Sequence, residues 1–255
     1  MSARCPISAI VVTLILPLVA SPDEPEPGEV ERQLRAQGLI PMKAPPACSH
    51  DDSNPRYWVS GDISKPVVTL TRREQTGSQT SLHGKRFEYS SVDHGEFGGS
   101  LSVSQGQGKP RVLLDANVIH LLPTGDDLFV FSGLAHMEMS VGAVHIIENY
   151  DSAPSLQTFT RLPAKPDVIA IDPKTWRIVV VSENSVSEIW AGVYSVITAR
   201  QHRFPHATSA LVSWPNFLIG HCGGVALLEL PWRRHRPPAL DQSDQITIVS
   251  YWTRR

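Results

Sequence analysis

Short apolar segments separated by turn residues run along the chain beyond residue 57. They are rich in β-branched and aromatic residues, and Gly, Pro, Asn and Asp separate them. Such segments are typical of β-strands, and no long stretch keeps the period of an amphipathic helix. The clearest early strands are predicted at Val67–Thr71, Arg86–Val92, Leu101–Ser104 and Val112–Leu114. The pattern predicts an all-β domain over residues 57–255.

The second half of the chain contains a weak internal repeat. Each copy opens with an apolar strand, turns at a polar or proline-containing loop, and continues into an equally apolar strand. The copies begin at Val118, Val168 and Ala210, so they are 50 and 42 residues apart. Each copy has room for several short strands, and two apolar strands in succession indicate a sheet that is covered on both faces.

A period of 40–50 residues with four short strands resembles the blade of a β-propeller. The resemblance is architectural and implies a small propeller of four or five blades. Ile246–Tyr251 is expected to complete a blade and close the ring. The Gly-His and Trp-Asp signature of WD repeats, the paired glycines of kelch repeats and the Asp-box of sialidases are all absent from the sequence. The alternative is a β-sandwich or an irregular barrel whose hairpins imitate a repeat.

The first 56 residues differ from the rest of the chain. Residues 1–21 combine Arg4 with the apolar run Ile7–Ala20, which is typical of a secretory signal peptide and too short to span a bilayer comfortably. Residues 22–56 form an acidic, proline-rich extension, in which Glu29–Gln37 is predicted to be a short helix that ends at Gly38. We therefore expect an exported protein, periplasmic or extracellular, without a transmembrane anchor.

Removal of the signal peptide would leave two cysteines, Cys48 and Cys222. An even number of cysteines in an exported protein favours a disulfide. This disulfide would join the N-terminal extension to the far end of the domain. The alternative is a pair of buried free thiols.

Charge and motifs exclude several functions. The formal net charge is −2, whereas a protein that binds nucleic acid over a large surface is strongly basic. Ten histidines are present, yet no His-x-His, Cys-x-x-Cys or His-Glu-x-x-His spacing occurs. His136, His145 and Glu148 are therefore interpreted as structural residues. The chain has no Gly-x-Ser-x-Gly elbow and no phosphate-binding loop, so we expect no cofactor and no metal.

Two groups of residues are candidates for binding a partner. Trp176 and Trp214 fall at the turn between the first and second strands of their repeats, and tryptophans are frequent anchors at interfaces. The second group is the basic segment Trp232, Arg233, Arg234 and Arg236, which would suit an acidic partner, an anionic glycan or lipid headgroups. The alternatives are packing between blades for the tryptophans and a solvated loop for the basic segment.

These observations lead to two hypotheses for function. The first is an exported, non-catalytic binding or scaffold protein that recognises a protein or glycan partner through propeller loops. The second is a hydrolase or lyase that acts on a cell-envelope or extracellular glycan. An enzyme requires a pocket in which His, Asp or Glu side chains from different blades meet. A binding protein requires an exposed aromatic or charged surface instead.

Overall fold

The computed structural model describes residues 28–44, 48, 55–71, 80–136, 139–190, 192–196, 203–214, 216–229 and 248–254. Nineteen strands in five antiparallel sheets make up most of these residues, together with one α-helix, α1 (Glu29–Ala36), and one 3₁₀ turn (Gly95–Phe97). The all-β class predicted from the sequence is confirmed. The signal peptide prediction lies outside the described residues.

The five sheets follow one another along the chain, and neighbouring strands within each sheet are mostly joined by hairpins. Sheet 1 contains β2 (Arg56–Asp62) and β3 (Lys65–Thr71). Sheet 2 contains β4 (Ser81–His83), β5 (Phe87–Asp93), β6 (Gly99–Gln105) and β7 (Arg111–Leu114). Sheet 3 contains β8 (Val118–Thr124), β9 (Asp127–His136), β10 (Met139–Glu148) and β11 (Ser155–Leu162).

The last two sheets contain the second and third copies of the repeat. Sheet 4 contains β12 (Pro166–Ile171), β13 (Ile178–Ser182), β14 (Ser185–Trp190) and β15 (Val193–Val196). Sheet 5 contains β16 (Ser209–Ser213), β17 (Asn216–His221), β18 (Gly224–Glu229), β19 (Ile248–Arg254) and β1 (Leu39–Met42). The repeat starts predicted at Val118, Val168 and Ala210 thus coincide with the first strands of sheets 3, 4 and 5.

Both ends of the described chain meet in sheet 5. Strand β19 pairs with β18, and β1 pairs with β19 in the register Leu39 to Arg254. The preceding helix α1 buries Val30 and Leu34 against the same sheet. Strand pairing therefore joins the N-terminal segment to the C-terminal strand.

Four apolar clusters hold successive sheets together. One lies between sheets 2 and 3, one between sheets 3 and 4, and one between sheets 4 and 5, and they bury Leu121, Phe131 and Phe217 respectively. The fourth joins sheet 5 to sheet 1 and α1, and it buries Tyr57 and Trp252. Sheets 3, 4 and 5 therefore each have apolar clusters on two sides, which explains why second strands such as β13 are buried at every residue.

The predicted disulfide between Cys48 and Cys222 is present, with 6.1 Å between the Cα atoms. Cys222 lies between β17 and β18, and it forms an isolated β-bridge with Arg56 at the start of β2. The disulfide thus ties the segment after β1 to the edge where sheets 5 and 1 meet. Within the part of the chain that is described, no helix is long and apolar enough to cross a membrane.

Candidate functional site

A cavity of about 600 Å³ lies where the first strands of the sheets begin. All five sheets contribute to it. Sheets 1, 3, 4 and 5 contribute the starts of β2, β8, β12 and β16, and sheet 2 contributes Thr80, just before β4, and the end of β5. Its lining includes Arg56, Trp58, Thr80, Ser91, Asp93, Ile119, His120, Lys165, Asp167 and His206. The cavity is therefore built from segments that are distant in sequence.

The lining combines an aromatic ring with both signs of charge. Trp58 and Arg56 come from β2, and both side chains are partly exposed. Lys165 and Asp167 come from the start of β12, while Asp93 ends β5. Arginine and lysine only donate hydrogen bonds and ionised aspartate only accepts them, so this wall offers both kinds of partner to a polar ligand.

Two histidines complete the polar lining. His120 lies in β8, its ring 6.4 Å from that of Phe131, and burial lowers its pKa. The imidazole of His120 is therefore neutral at neutral pH and can both donate and accept a hydrogen bond. His206 lies in the segment before β16 and is exposed.

Bulges shape the cavity wall in two of the first strands. The register of β8 against β9 shifts between Val118 and His120, and that of β12 against β13 shifts between Pro166 and Val168. Ile119 and Asp167 are the extra residues, and both line the cavity. A bulge bends its strand and redirects a side chain, which is why bulges are frequent beside functional sites.

Paired glycines let the segment that carries Lys165 pack closely against the β9–β10 hairpin of sheet 3. Gly133 of β9 faces Gly142 of β10 in the register of the hairpin. A Cβ at Gly133 would lie 2.8 Å from Cδ of Pro166 and 2.9 Å from Cγ of Lys165. The backbone N–H of Lys165 donates to Oγ of Ser140 at 2.9 Å. Glycine at both positions therefore allows the segment that carries Lys165 to cross the hairpin.

Hydrogen bonds hold the sheet 1 and sheet 5 walls in position. The backbone N–H of Val59 donates to Oγ of Ser209 at 2.8 Å, in a buried position. The Thr208 hydroxyl donates to the carbonyl oxygen of Tyr57. These two bonds fix β2, which carries Trp58, against the start of β16.

The predicted tryptophans lie at the turns that end β12 and β16, away from the strand starts that form the cavity. Trp176 is 68% exposed and has a φ of 57°. Trp214 is only partly exposed, because its ring stacks on the guanidinium of Arg177 with 3.8 Å between Cζ and the ring centroid. The two residues are thus close together, since Arg177 follows Trp176, but Trp176 alone is freely presented to solvent.

Arg177, the residue after Trp176, is the centre of a compact cluster of side chains. Its guanidinium also lies 4.1 Å from the ring centroid of Trp190, and it donates to Oε2 of Glu188 at 2.9 Å. Both Arg177 and Glu188 are largely buried. Trp190 and Trp214 therefore enclose a buried ion pair, and packing accounts for their positions.

The other residues singled out in the sequence do not lie together at one site. The basic segment Trp232, Arg233, Arg234 and Arg236 lies outside the described residues, so its role stays a prediction. His145 is buried between the hydroxyls of Ser132 and Thr158, at 3.0 and 3.2 Å, and burial lowers its pKa. Among the described residues, no group of three or more His, Cys, Asp or Glu is placed to hold a metal ion.

Sequence reasoning missed the cavity residues. Arg56, Asp93, Lys165 and Asp167 lie at strand ends, where charged residues are ordinary, and no spacing links them. The sequence did contain one usable signal. If the first strands of the repeats meet in space, the polar segments that precede these strands must also come together. No known family profile matches this sequence, and a search of curated proteins found no significant match.

Proposed function

We propose that this chain is an exported, non-catalytic binding protein that takes the end of a glycan into the cavity between its five sheets. The observation that carries the proposal is the cavity itself, to which all five sheets contribute and in which Trp58 lies beside donors and acceptors. Its volume of about 600 Å³ falls in the range of small-molecule sites.

A five-bladed propeller is the architecture we propose for this arrangement. Clusters that join sheet 2 to 3, 3 to 4, 4 to 5 and 5 to 1 support it, because each sheet then has a neighbour on both faces once sheets 1 and 2 meet at the cavity. The pairing of β1 with β19 supports it too, since pairing of the chain ends in one blade closes a ring. One fold can serve many functions, so the residues that line the cavity indicate the ligand better than the fold does.

A saccharide fits the chemistry of the lining. Hydroxyl groups both donate and accept, and the cavity offers the carboxylates of Asp93 and Asp167 together with the donors Arg56 and Lys165. The apolar face of a sugar ring packs on an aromatic side chain, and Trp58 is the tryptophan that lines the cavity. A protein partner would instead be expected to contact the loops around the cavity.

Screening of the mature chain against an immobilised glycan panel tests the proposal. We expect binding that is reduced at least tenfold by Trp58→Ala and unchanged by Trp176→Ala, which alters an exposed tryptophan at the other end of the strands. Absence of binding to every glycan, with the chain shown to be folded, would contradict the proposal.

Catalysis on the same glycan is the second candidate, because Asp93 and Asp167 line one cavity from two different sheets. Two carboxylates that flank a glycosidic bond are the usual machinery of glycoside hydrolysis. Mass spectrometry of each bound glycan after prolonged incubation separates the two candidates. An unchanged glycan agrees with a binding protein, whereas cleavage that Asp93→Asn or Asp167→Asn abolishes would identify a hydrolase or lyase.

Export is supported by the disulfide and by the apolar run at residues 7–20. Edman sequencing of the protein recovered outside the cytoplasm is expected to begin near Ser21. A cytoplasmic protein that retains residues 1–21 would contradict this part of the proposal.

A further inference from the structure

The Cys48–Cys222 disulfide is joined directly to two walls of the cavity. The backbone N–H of Cys222 donates to the carbonyl oxygen of Pro205 at 3.0 Å, and the next residue, His206, lines the cavity. Cys222 also forms the isolated β-bridge with Arg56, which lines the cavity from sheet 1. The backbone of one half-cystine therefore holds segments of the sheet 5 wall and the sheet 1 wall together.

The start of β2 depends on this junction for its position. The N–H of Gly223 donates to the carbonyl oxygen of Pro55 at 2.8 Å, and further hydrogen bonds join β2 to the start of β16. Cys48 lies eight positions before Arg56 in the sequence, so the disulfide adds a covalent tether just upstream of these bonds. Without the tether, hydrogen bonds of small net free energy hold the wall that carries Arg56 and Trp58.

The two cysteines differ in their exposure to solvent. Cys48 is partly exposed, whereas Cys222 is only 3% exposed. A thiolate breaks a disulfide by attacking a sulfur that it can reach, and the other sulfur leaves. A reductant from solvent is therefore expected to attack Sγ of Cys48 and to release Sγ of Cys222, the sulfur at the junction of the two walls.

We propose that the Cys48–Cys222 disulfide is a redox-sensitive latch on the cavity. The oxidised chain holds Arg56 and Trp58 in place for the glycan, and reduction by a dithiol loosens this wall and weakens binding. This inference rests on the proposed saccharide site and adds its regulation. An oxidising compartment keeps the site in its binding form, and a dithiol reductant converts it to the weaker one.

The reaction is ordinary thiol–disulfide exchange with a dithiol. One thiolate of the reductant forms a bond to Sγ of Cys48, and Sγ of Cys222 leaves and takes up a proton. The second thiolate of the reductant then attacks the mixed disulfide and releases Cys48, which is protonated in turn. The chain gains two electrons and two protons, and the dithiol becomes a disulfide.

Comparison of glycan binding by the two redox states tests the latch. The mature chain is applied to the immobilised glycan panel as the oxidised protein and after anaerobic treatment with dithiothreitol. Labelling with iodoacetamide and mass spectrometry verify that both cysteines are reduced. We expect reduction to weaken binding about fivefold or more, the equivalent of one lost hydrogen bond, and reoxidation to restore it.

Arg177→Ala in the oxidised state is the matched control. Arg177 belongs to the side-chain cluster at the other end of the strands, so its loss destabilises the fold without touching the cavity. This variant is expected to bind each glycan like the oxidised wild type. An equal loss of affinity in Arg177→Ala would assign the effect of reduction to lower overall stability and overturn the latch.

Amide hydrogen exchange with mass spectrometry follows the wall without any glycan. Reduction is expected to speed exchange at the N–H groups of Val59, Cys222 and Gly223, which donate the bonds between the sheet 1 and sheet 5 segments. Peptides from β9 and β10 of sheet 3 are expected to exchange at the same rate in both redox states.

The remaining outcomes separate the latch from the saccharide site. Unchanged affinity in the verified reduced chain would overturn the latch and leave the saccharide site intact. Faster exchange throughout all five sheets, or a disulfide that dithiothreitol does not reduce in the folded chain, would also overturn the latch. Absence of glycan binding by the oxidised chain would contradict the saccharide site, whereas faster exchange confined to β2 and the residues around Cys222 would still support a latch on this wall.

Discussion

At the scale of single residues, Arg177 shows how a turn is stabilised by stacking as well as by charge. Its guanidinium lies between the rings of Trp190 and Trp214, and Glu188 accepts one of its hydrogen bonds. Because Glu188 is only 7% exposed, removal of the guanidinium leaves a carboxylate in a poorly solvated position. The planar fork of arginine suits this position, whereas lysine supplies charge without the flat stacking surface.

We predict that Arg177→Ala lowers the free energy of unfolding by about 3 kcal/mol, and Arg177→Lys by about 1–2 kcal/mol. Urea denaturation at pH 7 measures both. Arg35→Ala is the control, since Arg35 lies 5.1 Å from the ring of Trp252 at an exposed position and its loss is expected to cost under about 1 kcal/mol. Equal effects at positions 35 and 177 would contradict a stacking and ion-pair role for Arg177.

His221 gives the stability of the protein a defined pH dependence. Its side chain is fully buried, Nδ1 lies 2.8 Å from the carbonyl oxygen of Cys222, and burial lowers its pKa to about 4. In the unfolded chain the pKa returns to about 6.5. The unfolded state therefore binds the proton more readily at every pH between these values, and stability falls as the pH falls through this window.

We predict that protonation of His221 lowers the free energy of unfolding by about 3 kcal/mol between pH 6.5 and pH 4, and that it causes little further loss below pH 4. Urea denaturation across the range, on wild type and His221→Gln, isolates its contribution from that of other titrating groups such as His145. The variant is expected to show a shallower fall in stability over this window. Identical pH profiles would mean that His221 does not titrate differently in the two states.

At the scale of elements, side chains rather than another strand of the described residues cover the outer edge of β3. Gln37, just after α1, donates through Nε2 to the carbonyl oxygen of Pro66 at 2.6 Å and accepts from the N–H of Val68 at 2.9 Å. Arg254 then donates to the carbonyl oxygen of Val68 at 3.1 Å. Uncovered strand edges invite pairing with other chains, and these bonds occupy part of this edge.

We predict that Gln37→Ala lowers the free energy of unfolding by about 1–3 kcal/mol, because the buried backbone of Val68 loses a partner. Concentration-dependent association, measured by light scattering after size-exclusion chromatography, is also expected. Gln33→Ala on the same helix is the control, since the side-chain amide of Gln33 donates to Oε1 of Glu29 within the helix and its loss is expected to matter less. A monomeric Gln37→Ala variant of wild-type stability would contradict the edge-covering role.

The elements themselves were the most predictable level of this structure. The helix predicted at Glu29–Gln37 forms as Glu29–Ala36, and the apolar runs of the repeat become strands because their neighbours bury both faces. Strands β2 and β4 were not predicted. β4 is three residues long and polar at both ends, so its pairing with β5 depends on tertiary context rather than on propensity.

The cavity was less predictable than the strands, for a physical reason. Its residues gain a common role only when strand starts from different sheets meet, and bulges at Ile119 and Asp167 decide which side chains line it. A bulge leaves little trace in the hydrophobic pattern. Trp176, by contrast, was correctly located at a turn, because Asp172 and Pro173 are common turn residues.

At the scale of the whole molecule, the disulfide and the pairing of β1 with β19 hold the N-terminal segment on sheet 5. The disulfide spans 174 residues of sequence, so it removes a large amount of freedom from the unfolded chain. We predict that Cys48→Ala combined with Cys222→Ala lowers the free energy of unfolding by about 5 kcal/mol in the chain-entropy picture. Urea denaturation of wild type with and without reductant measures the same quantity, and no change on verified reduction would contradict the prediction.

The molecule as a whole presents two ends with different chemistry. One has the cavity with Trp58, Asp93 and Asp167, and the other has the turn that exposes Trp176, followed in sequence by the buried Arg177. We propose that recognition takes place at the cavity end. The sequence alone favoured the tryptophan end, because a tryptophan at a turn is visible in a sequence and a shared cavity is not.

The most direct test is to titrate wild type, Trp58→Ala and Trp176→Ala with the best ligand from the glycan panel. Isothermal titration calorimetry measures each affinity, and urea denaturation confirms that all three proteins are folded. We predict that Trp58→Ala weakens binding at least tenfold while Trp176→Ala binds like wild type. Loss of binding in Trp176→Ala, with wild-type affinity in Trp58→Ala, would contradict the account and place recognition at the opposite end of the fold.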